Sequence, residues 1–234
     1  MLKHNTNLTN KPNNTQSTDT MIVLQDFTQQ EPQSGFNQDF ILTFLTFDAN
    51  APDKLRRQYL HYVGEQDDKN DVYFVITVWE HLMRDGVIGD EIKHIEVWSD
   101  GGPKHFKMKE CMYYFSTIKQ KYNKTITYNF YQSYHGHNSC DAAASHSKKA
   151  IINKQRNTNI LINTTQDITN AINTLNNHTA QVVPTITKPP INTSSMPGIK
   201  SYYKYTFPQP TIIHAFTTSA DTVPAKIYTV TGNL

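Results

Sequence analysis

The chain has 234 residues, of which 37% are hydrophobic and 18% charged, and its formal net charge is +2. That length is enough for one sizeable domain with tails, while the charge is too small to indicate nucleic-acid binding by itself. The sequence has no run near the roughly 18 apolar residues that cross a bilayer, no apolar signal-peptide core and only two cysteines, so we expect a soluble, intracellular protein without a disulfide framework.

Three short strands are predicted near the N-terminus. Residues 1–20 are rich in Asn and Thr and nearly lack large apolar side chains, so we predict a disordered tail there. Runs rich in β-branched, aromatic and other apolar residues follow at 21–27, 39–48 and 56–65. Because only short connections separate these runs, they predict a three-stranded antiparallel meander.

Two strand–helix units are predicted after the meander. An apolar stripe at helical spacing, which Asn70 or Asp71 would cap, consists of Val72, Val75, Ile76, Trp79 and Leu82. The elements that follow are a strand at 93–100, a helix at 108–122, a strand at 125–134 and a helix at 141–154. The resulting order, βββαβαβα, predicts an α/β fold of the RNase H-like architecture, in which a mixed five-stranded sheet carries helices on both faces.

The C-terminal third is predicted to be less regular. A helix is expected at 164–177, and a Pro- and Ser-rich stretch at 182–198 is typical of a linker. Residues 200–231 again favour strands, which would form either a small appendage or an extension packed on the main sheet. We therefore divide the chain into a disordered tail (1–20), an RNase H-like domain (21–155), a helix and linker (156–199) and a small β appendage (200–234).

Three aspartates lie at chain positions that this topology brings together. Asp26 is near the end of the first strand, Asp100 ends the fourth, and Asp141 begins the third helix. In a sheet ordered 3-2-1-4-5, strands one and four are neighbours. Crowded carboxylates repel one another unless a cation neutralises them, and oxygen ligands favour Mg²⁺ or Mn²⁺. Two such ions can activate a water or a 3′-hydroxyl and stabilise the leaving oxygen of a phosphodiester.

Each aspartate also has a structural explanation. Asp100 precedes two glycines and would suit a turn, Asp141 would suit a helix N-cap, and Asp26 would suit an exposed strand end. The chemical interpretation therefore depends on the segments that surround these residues.

Two of those segments resemble motifs of a known family. WSDGGPKHFK, residues 98–107, is similar to S-D-G-x-x-x-Q-F-K, and SYHGHNSCDAAASHSKK, residues 133–149, is similar to H-G-K-G-x-C-D-G-x-G-G-x-x-K. The second motif is matched at His135, Gly136, Cys140, Asp141 and Lys148. Both motifs, and a weaker D-F similarity at residues 24–34, resemble transposase-derived RNase H-like (DDE/DDD-type) domains of eukaryotic mobile elements. Their order and spacing agree over residues 21–155.

The resemblance implies a metal-dependent polynucleotidyl transferase or nuclease that acts on DNA phosphodiesters. It makes Asp26, Asp100 and Asp141 the catalytic acids and the ligands of two Mg²⁺ or Mn²⁺ ions. It also implies DNA as the partner, no membrane association, a nuclear location and assembly into a homo-oligomer.

The chain departs from the family motifs at several positions. His105 stands where Gln is usual, and His137 and Asn138 replace Lys-Gly. Glycines of the second motif are replaced by Ala142, Ala144 and Ser145. The loss of Lys removes a candidate phosphate contact, and the loss of the glycines hinders a close approach of the backbone to its surroundings. Two other functions therefore stay open: a catalytically inactive nucleic-acid-binding domain derived from a mobile element, and a protein-interaction scaffold.

Candidate contacts to nucleic acid flank the two motifs. They are Lys104, Lys107, His135, His137, Lys148 and Lys149. The lysines are equally well explained as a solvated helix face. Zinc is a separate alternative, because Cys and His side chains suit tetrahedral Zn²⁺. The spacing of the candidate zinc ligands fits no standard finger: His135, His137, Cys140 and His146.

Overall fold

The computed structural model places nine strands in one mixed sheet. It describes residues 19–30, 37–65, 71–100, 105–131, 138–159, 161–186, 191 and 193–232. In chain order the strands are β1 (Thr20–Gln30), β2 (Asn37–Phe47), β3 (Leu55–Val63), β4 (His94–Ser99), β5 (Thr125–Phe130), β6 (His178–Val182), β7 (Lys204–Gln209), β8 (Ile212–Phe216) and β9 (Lys226–Thr229). Their order across the sheet is β6-β3-β2-β1-β4-β5-β7-β8-β9. Nearly all of the predicted tail, residues 1–18, lies outside the described residues.

The five central strands have the neighbours that the sequence predicts, in the order β3-β2-β1-β4-β5. Strands β1, β2 and β3 pair antiparallel through short connections, whereas β4 runs parallel to both β1 and β5. Parallel neighbours need a crossover connection, and helices supply it here. The α/β class of the prediction is therefore confirmed.

Four helices connect and cover these strands. They are α1 (Val72–Arg84), α2 (Lys109–Tyr122), α3 (Ser139–Thr158) and α4 (Thr165–Ile172). Helices α1 and α2 pack on one face of the sheet through the main hydrophobic core, which includes the fully buried Phe74, Trp79 and Phe115. Helix α3 packs on β1 and β2 from the opposite face, and α4 packs beside it on β3 and β6.

The C-terminal strands correct the predicted division of the chain. Strand β7 pairs antiparallel with β5, with Thr127 opposite Thr206, and β8 and β9 continue outward. The segment predicted as a small appendage is therefore an extension of the main sheet. Pairing with β7 satisfies the backbone N–H and C=O groups that β5 would otherwise present at an edge, and local sequence does not say which edge a distant strand will cover.

A second correction concerns the predicted helix and linker at 156–199. Helix α3 continues through the predicted boundary at residue 155 to Thr158, and α4 ends at Ile172 rather than at 177. The parallel strand β6, which pairs with β3, was not predicted. Its five residues, HTAQV, include only two strand-favouring side chains. Its strand conformation therefore comes from pairing with β3.

Helix α1 begins at a cap that the sequence predicts. The side chain of Asp71 accepts hydrogen bonds from the backbone N–H groups of Tyr73 and Phe74, at 2.9 and 3.3 Å. We expect Asp71→Ala to lower the free energy of unfolding by about 1 kcal/mol, because two N–H groups of the first turn lose their acceptor. Urea denaturation checks this, with the exposed Asp90→Ala as the matched control. Equal losses in both variants would contradict the capping role.

A buried polar network joins α1 to the sheet. Trp79 donates from Nε1 to Oε1 of Gln25 at 2.8 Å, and Nε2 of Gln25 donates to the Tyr128 hydroxyl at 2.7 Å. Ser99 also donates to that hydroxyl, at 3.2 Å. All four side chains are fully buried. The network links β1, β4 and β5 where the pairing of β1 with β4 ends, because Gln25 and Ser99 are the last residues that these two strands pair with each other.

Candidate active site

Asp26 and Asp100 come next to each other where the pairing of β1 with β4 ends. This is the carboxyl end of β4 but the middle of β1, which continues to Gln30 along β2, so the expected place of Asp26 near the end of the first strand is wrong. The β1–β4 ladder ends at the pair Gln25 and Ser99, so Asp26 and Asp100 are the next residues on each strand. Neighbouring strands lie about 4.8 Å apart, and side chains alternate between faces. Asp26 therefore shares the face of Leu24, which packs under α3. The structure brings these two predicted acids together as the sequence predicts.

The carboxyl group of Asp26 is in an unfavourable place for a negative charge. Its pKa is raised to about 7, first by burial and next by the negative charge of Asp100, and the charge of Asp141 adds a smaller increase. The backbone N–H of Phe27, which donates to Oδ1 at 2.8 Å, opposes these effects. The three acids therefore interact electrostatically, and a cation beside Asp26 would relieve both the repulsion and the cost of burial.

Asp141 has a structural role as well as a place near Asp26. It is the third residue of α3, and Asn138 rather than Asp141 is the N-cap. Its Oδ2 accepts a hydrogen bond from the backbone N–H of Asn138 at 2.8 Å, while the Asn138 side chain accepts from the N–H of Cys140 at 2.6 Å. This capping box uses one carboxylate oxygen of Asp141.

A small open cleft joins the two elements that carry Asp26 and Asp141. Its volume is about 40 Å³, and its lining consists of Asp26, Phe27, Thr28, Ile41, Cys140, Asp141 and Ala144. A water molecule occupies roughly 10–15 Å³ on this measure, so the cleft has room for a few waters or an ion but not for a nucleotide base.

The site fits a divalent cation in part. Its donors are carboxylate oxygens, which suit Mg²⁺ or Mn²⁺, and Asp26 lacks a positive neighbour among the causes of its pKa shift. Within the described part of the chain, however, no three His, Cys, Asp or Glu side chains are close enough to hold one ion together. Asp26 and Asp100 are therefore the two acids that would hold such an ion first, since one oxygen of Asp141 accepts the capping bond from Asn138.

Lys107 does not lie at a surface where it could contact phosphate. It is 4% exposed, and its Nζ donates to the backbone carbonyl of Lys200 at 3.3 Å. The ammonium also lies over the rings of Phe130 and Tyr203, at 4.7 and 4.4 Å from the centroids. Burial lowers its pKa to about 8. The nucleic-acid contact predicted for Lys107 is corrected by this geometry, because the side chain closes the core below α2.

The remaining predicted nucleic-acid contacts divide into two groups. Lys148 and Lys149 are exposed on α3, the helix whose first turn lines the cleft. Lys104, His135 and His137 lie outside the described residues.

Cys140 is a core residue rather than a metal ligand. It is 1% exposed, and its Sγ lies 3.5 Å from Oγ1 of Thr43 and 3.7 Å from the carbonyl oxygen of Ile41. Burial raises the pKa of its thiol well above the usual range. Since zinc binds the thiolate, this position does not support the zinc alternative in which Cys140 is a ligand.

A buried chain of polar side chains beneath α3 was not predicted from sequence. Oδ2 of Asp39 on β2 lies 2.9 Å from Nδ1 of His61 on β3, and Nε2 of His61 lies 2.9 Å from Nδ1 of His178 on β6. Nε2 of Gln30 donates to the same Asp39 oxygen and to Ser147 of α3, both at 2.8 Å. No local pattern could reveal these contacts, because the partners are far apart in the chain.

The buried histidine at the end of this row of polar side chains, His178, makes the free energy of unfolding depend on pH. Burial, and then the neighbouring His61 and His146, lower the pKa of His178 from 6.5 to about 4. Between these values the unfolded state binds more protons than the folded state. We therefore expect this contribution to be complete above about pH 6.5 and to fall, by at most about 1.4 kcal/mol per pH unit, as the pH drops towards 4.

Urea unfolding between about pH 7 and pH 4.5 measures this slope. Because the pKa of Asp26 is raised in the folded state, its contribution to stability falls as the pH rises from about 4 to 7, which opposes the effect of His178 in the same pH range. The variants are therefore compared in the Asp26→Asn background. His178→Gln should flatten the curve there. An unchanged slope in that variant would show that His178 is not the titrating group.

Comparisons with known proteins place the chain in a family of domains. The sequence model of the family described as "Domain of unknown function (DUF8701)" matches residues 8–223. No curated protein matches the chain. One similar solved chain comes from the "CryoEM structure of simian T-cell lymphotropic virus intasome in complex with PP2A regulatory subunit B56 gamma", with 12% identity, 91% of this chain and 78% of that chain covered, and a TM-score of 0.44. A likeness at that level carries no argument about function.

The length and hydropathy of the helices show whether any of them could cross a membrane. Among the residues that the structure describes, none of the helices combines the length and the apolar character that crossing a bilayer requires.

Proposed function

We propose that this chain, which belongs to the DUF8701 family of domains, is a divalent-metal-dependent nuclease or polynucleotidyl transferase domain of the RNase H-like type that acts on DNA phosphodiesters. In this proposal Asp26 and Asp100 hold the metal first, and Asp141 completes the acidic site. A bound Mg²⁺ or Mn²⁺ would supply activation of a water or hydroxyl and stabilisation of the leaving oxygen.

One observation carries the proposal. Asp26 is a half-buried acid on β1 beside the end of β4, its pKa is raised to about 7, and the second largest cause of that rise is another acid, Asp100. Purely structural carboxylates are normally placed where hydrogen bonds or positive charges stabilise them. A carboxyl group held against this preference in a cleft is a candidate for a functional site.

The strand arrangement supports the same assignment. The order β3-β2-β1-β4-β5 puts Asp26 of β1 beside the end of β4, and α3 begins next to Asp26. The resemblance of residues 98–107 and 133–149 to transposase-derived motifs concerns the end of β4 and the start of α3. The acids contributed by the three elements would therefore act together at one edge of the sheet.

Manganese binding tests the metal site directly. Calorimetry should show micromolar-range Mn²⁺ binding by the wild type and a loss of at least about tenfold in affinity for Asp100→Asn, because one of two primary ligands is lost. Asp90→Asn, an exposed acid away from the cleft, is the control. Absence of binding by the wild type, both alone and with DNA, would overturn the proposal.

Exposed lysines of α3 would hold the phosphate backbone. Lys148 and Lys149 lie within two to three turns of the cleft-lining start of α3. We expect the double change of these residues to Ala to weaken DNA binding and to reduce the slope of log K against log salt by up to about 2, about 1 for each lost phosphate contact. Fluorescence anisotropy at several salt concentrations measures this slope.

The control for that measurement is Lys121→Ala, because Lys121 is exposed on α2, on the opposite face of the sheet. A slope that changes equally in the control and the double variant would show general charge attraction rather than a contact by α3.

A second candidate function is nucleic-acid binding without catalysis. The observation that favours it is the capping bond of Asp141, together with the lack of a ready three-ligand cluster in the part of the chain described. Salt-dependent DNA binding without Mn²⁺ binding would favour this candidate over the catalytic one.

A further inference from the structure

Two histidines from different elements face each other away from the acidic cleft. His146 lies on α3 and is exposed, and His178 begins β6 and is 9% exposed. Their ring centroids are 5.8 Å apart, with the planes at 61°. Within the described residues, hydrogen bonds engage Nδ1 of His178 but neither its Nε2 nor either nitrogen of His146. Each of these neighbouring imidazoles therefore has at least one nitrogen without a hydrogen bond within the described residues.

The buried chain behind His178 decides which of its nitrogens carries the proton. The Asp39 carboxylate can only accept, so the His61 proton lies on Nδ1, which is 2.9 Å from Oδ2. In the neutral form of His61, Nε2 is the acceptor, and Nδ1 of His178 donates to it at 2.9 Å. The remaining nitrogen, Nε2 of His178, therefore carries a lone pair.

Histidines that bind metals commonly have this arrangement, with the other ring N–H donated to a fixed acceptor that sets the tautomer and the ring orientation. A neutral, oriented imidazole with a lone pair is the form that a metal ion takes up.

We propose that His146 and His178 bind one Zn²⁺ ion, with water completing its coordination. Two imidazoles on a tetrahedral ion, with Zn–N distances of about 2.0–2.1 Å, have ring centroids about 5 Å apart, which is close to the observed 5.8 Å, and the exposed His146 side chain can turn its ring towards a shared ion. Asp39 and His61 are positioning residues in this site. The ion links α3 to the edge strand β6.

This site differs from the acidic cleft in ligand chemistry and in place. It offers nitrogen donors, which suit Zn²⁺, Ni²⁺ or Cu²⁺ and suit Mg²⁺ poorly. It is carried by β6 and the middle of α3, whereas the cleft is carried by β1 and the first residues of α3. The proposal therefore does not depend on the proposed catalytic function.

Thermal unfolding of the full chain, without a polyhistidine tag and with Zn²⁺ or Mg²⁺ alone as the probe, tests the site. Zn²⁺ at a large excess over its dissociation constant should raise the Tm by about 5 °C or more, since it binds only the folded state. His146→Ala should abolish that rise without a large change in the metal-free Tm, because the side chain is exposed. His94→Ala, which removes an exposed histidine on β4, should keep it.

A second readout separates ligation from a structural effect. On addition of Zn²⁺, nitrogen NMR of the imidazoles should show a large shift of Nε2 of His178, with its Nδ1 still protonated. The proposal is overturned if His146→Ala keeps the full Zn²⁺-induced rise, if the wild type shows none, or if the shift occurs at other histidines.

Discussion

Asp26→Asn is expected to make the metal-free protein more stable and, if the proposed function holds, to remove its metal-dependent activity. The amide keeps an oxygen that can accept from the N–H of Phe27, but it removes a buried charge that Asp100 and Asp141 repel. After allowance for partial solvent exposure, we expect a gain on the order of 1–2 kcal/mol above pH 7. That gain corresponds to a rise in Tm of about 4 °C.

The pH dependence identifies the source of this gain. In the wild type, Asp26 stays protonated in the folded state up to about pH 7 but ionises near 3.8 when unfolded. Its contribution to stability is therefore lost as the pH rises from about 4 to 7, and the advantage of Asp26→Asn should be smallest near pH 4. A variant that is equally stabilised at both ends of this range would contradict the explanation.

The same substitution, Asp26→Asn, is expected to lower cleavage activity although it raises stability. Loss of a group that holds the metal should lower cleavage of a DNA substrate in Mn²⁺ by at least about 100-fold. The exposed Asp90→Asn should change neither stability nor cleavage. A gain in stability with cleavage retained would mean that Asp26 is a badly placed acid without a catalytic role.

Trp79→Ala is expected to be the most damaging single change in the core. The side chain is fully buried, its ring meets the edge of Phe115 with centroids 5.3 Å apart, and its Nε1 donates to Gln25. Truncation leaves a large cavity and a buried acceptor without its donor, so we expect a loss of about 3–5 kcal/mol. That is a large part of the 5–15 kcal/mol typical of folded domains. Urea denaturation followed by circular dichroism measures it.

Trp79→Phe separates the two causes. It keeps most of the ring volume and removes only the N–H, so we expect a smaller loss of about 1–3 kcal/mol. The matched change Trp98→Phe, at a half-buried residue whose Nε1 donates to Glu96 at 2.9 Å, should cost less still. Losses that are equal for Trp79→Phe and Trp79→Ala would place the energy in the hydrogen bond rather than in packing.

Local sequence was sufficient for the elements whose signals are local. The apolar stripe of α1 and its Asp71 cap lie within a few turns of one another, so residue spacing alone predicts that helix. The same holds for the strands β1, β4 and β5, whose apolar runs are short and bounded. The RNase H-like architecture that the element order predicts has the strand order 3-2-1-4-5, which makes β1 and β4 neighbours and brings Asp26 beside Asp100.

Other features depend on partners that are distant in the chain. Strand β6 has too few strand-favouring side chains to be recognised by itself and forms because β3 offers a free edge. Lys107 looks like a surface cation in sequence, yet β7 and the segment before it bring Tyr203 and the Lys200 carbonyl over it. Neither result has a signal in the neighbouring residues.

The sequence by itself therefore determined the class of elements, because periodicity and capping act over short distances. The central strand order, and with it the meeting of Asp26 and Asp100, was predicted from the RNase H-like architecture that the order of those elements indicates. Only the tertiary structure decided that the C-terminal strands extend the sheet, that Asn138 is the N-cap of α3 with Asp141 at the third helical position, and that Asp39, His61 and His178 form one buried chain. Those outcomes arise from satisfying backbone edges and buried polar atoms across long loops, which is a property of the whole packed molecule rather than of any segment.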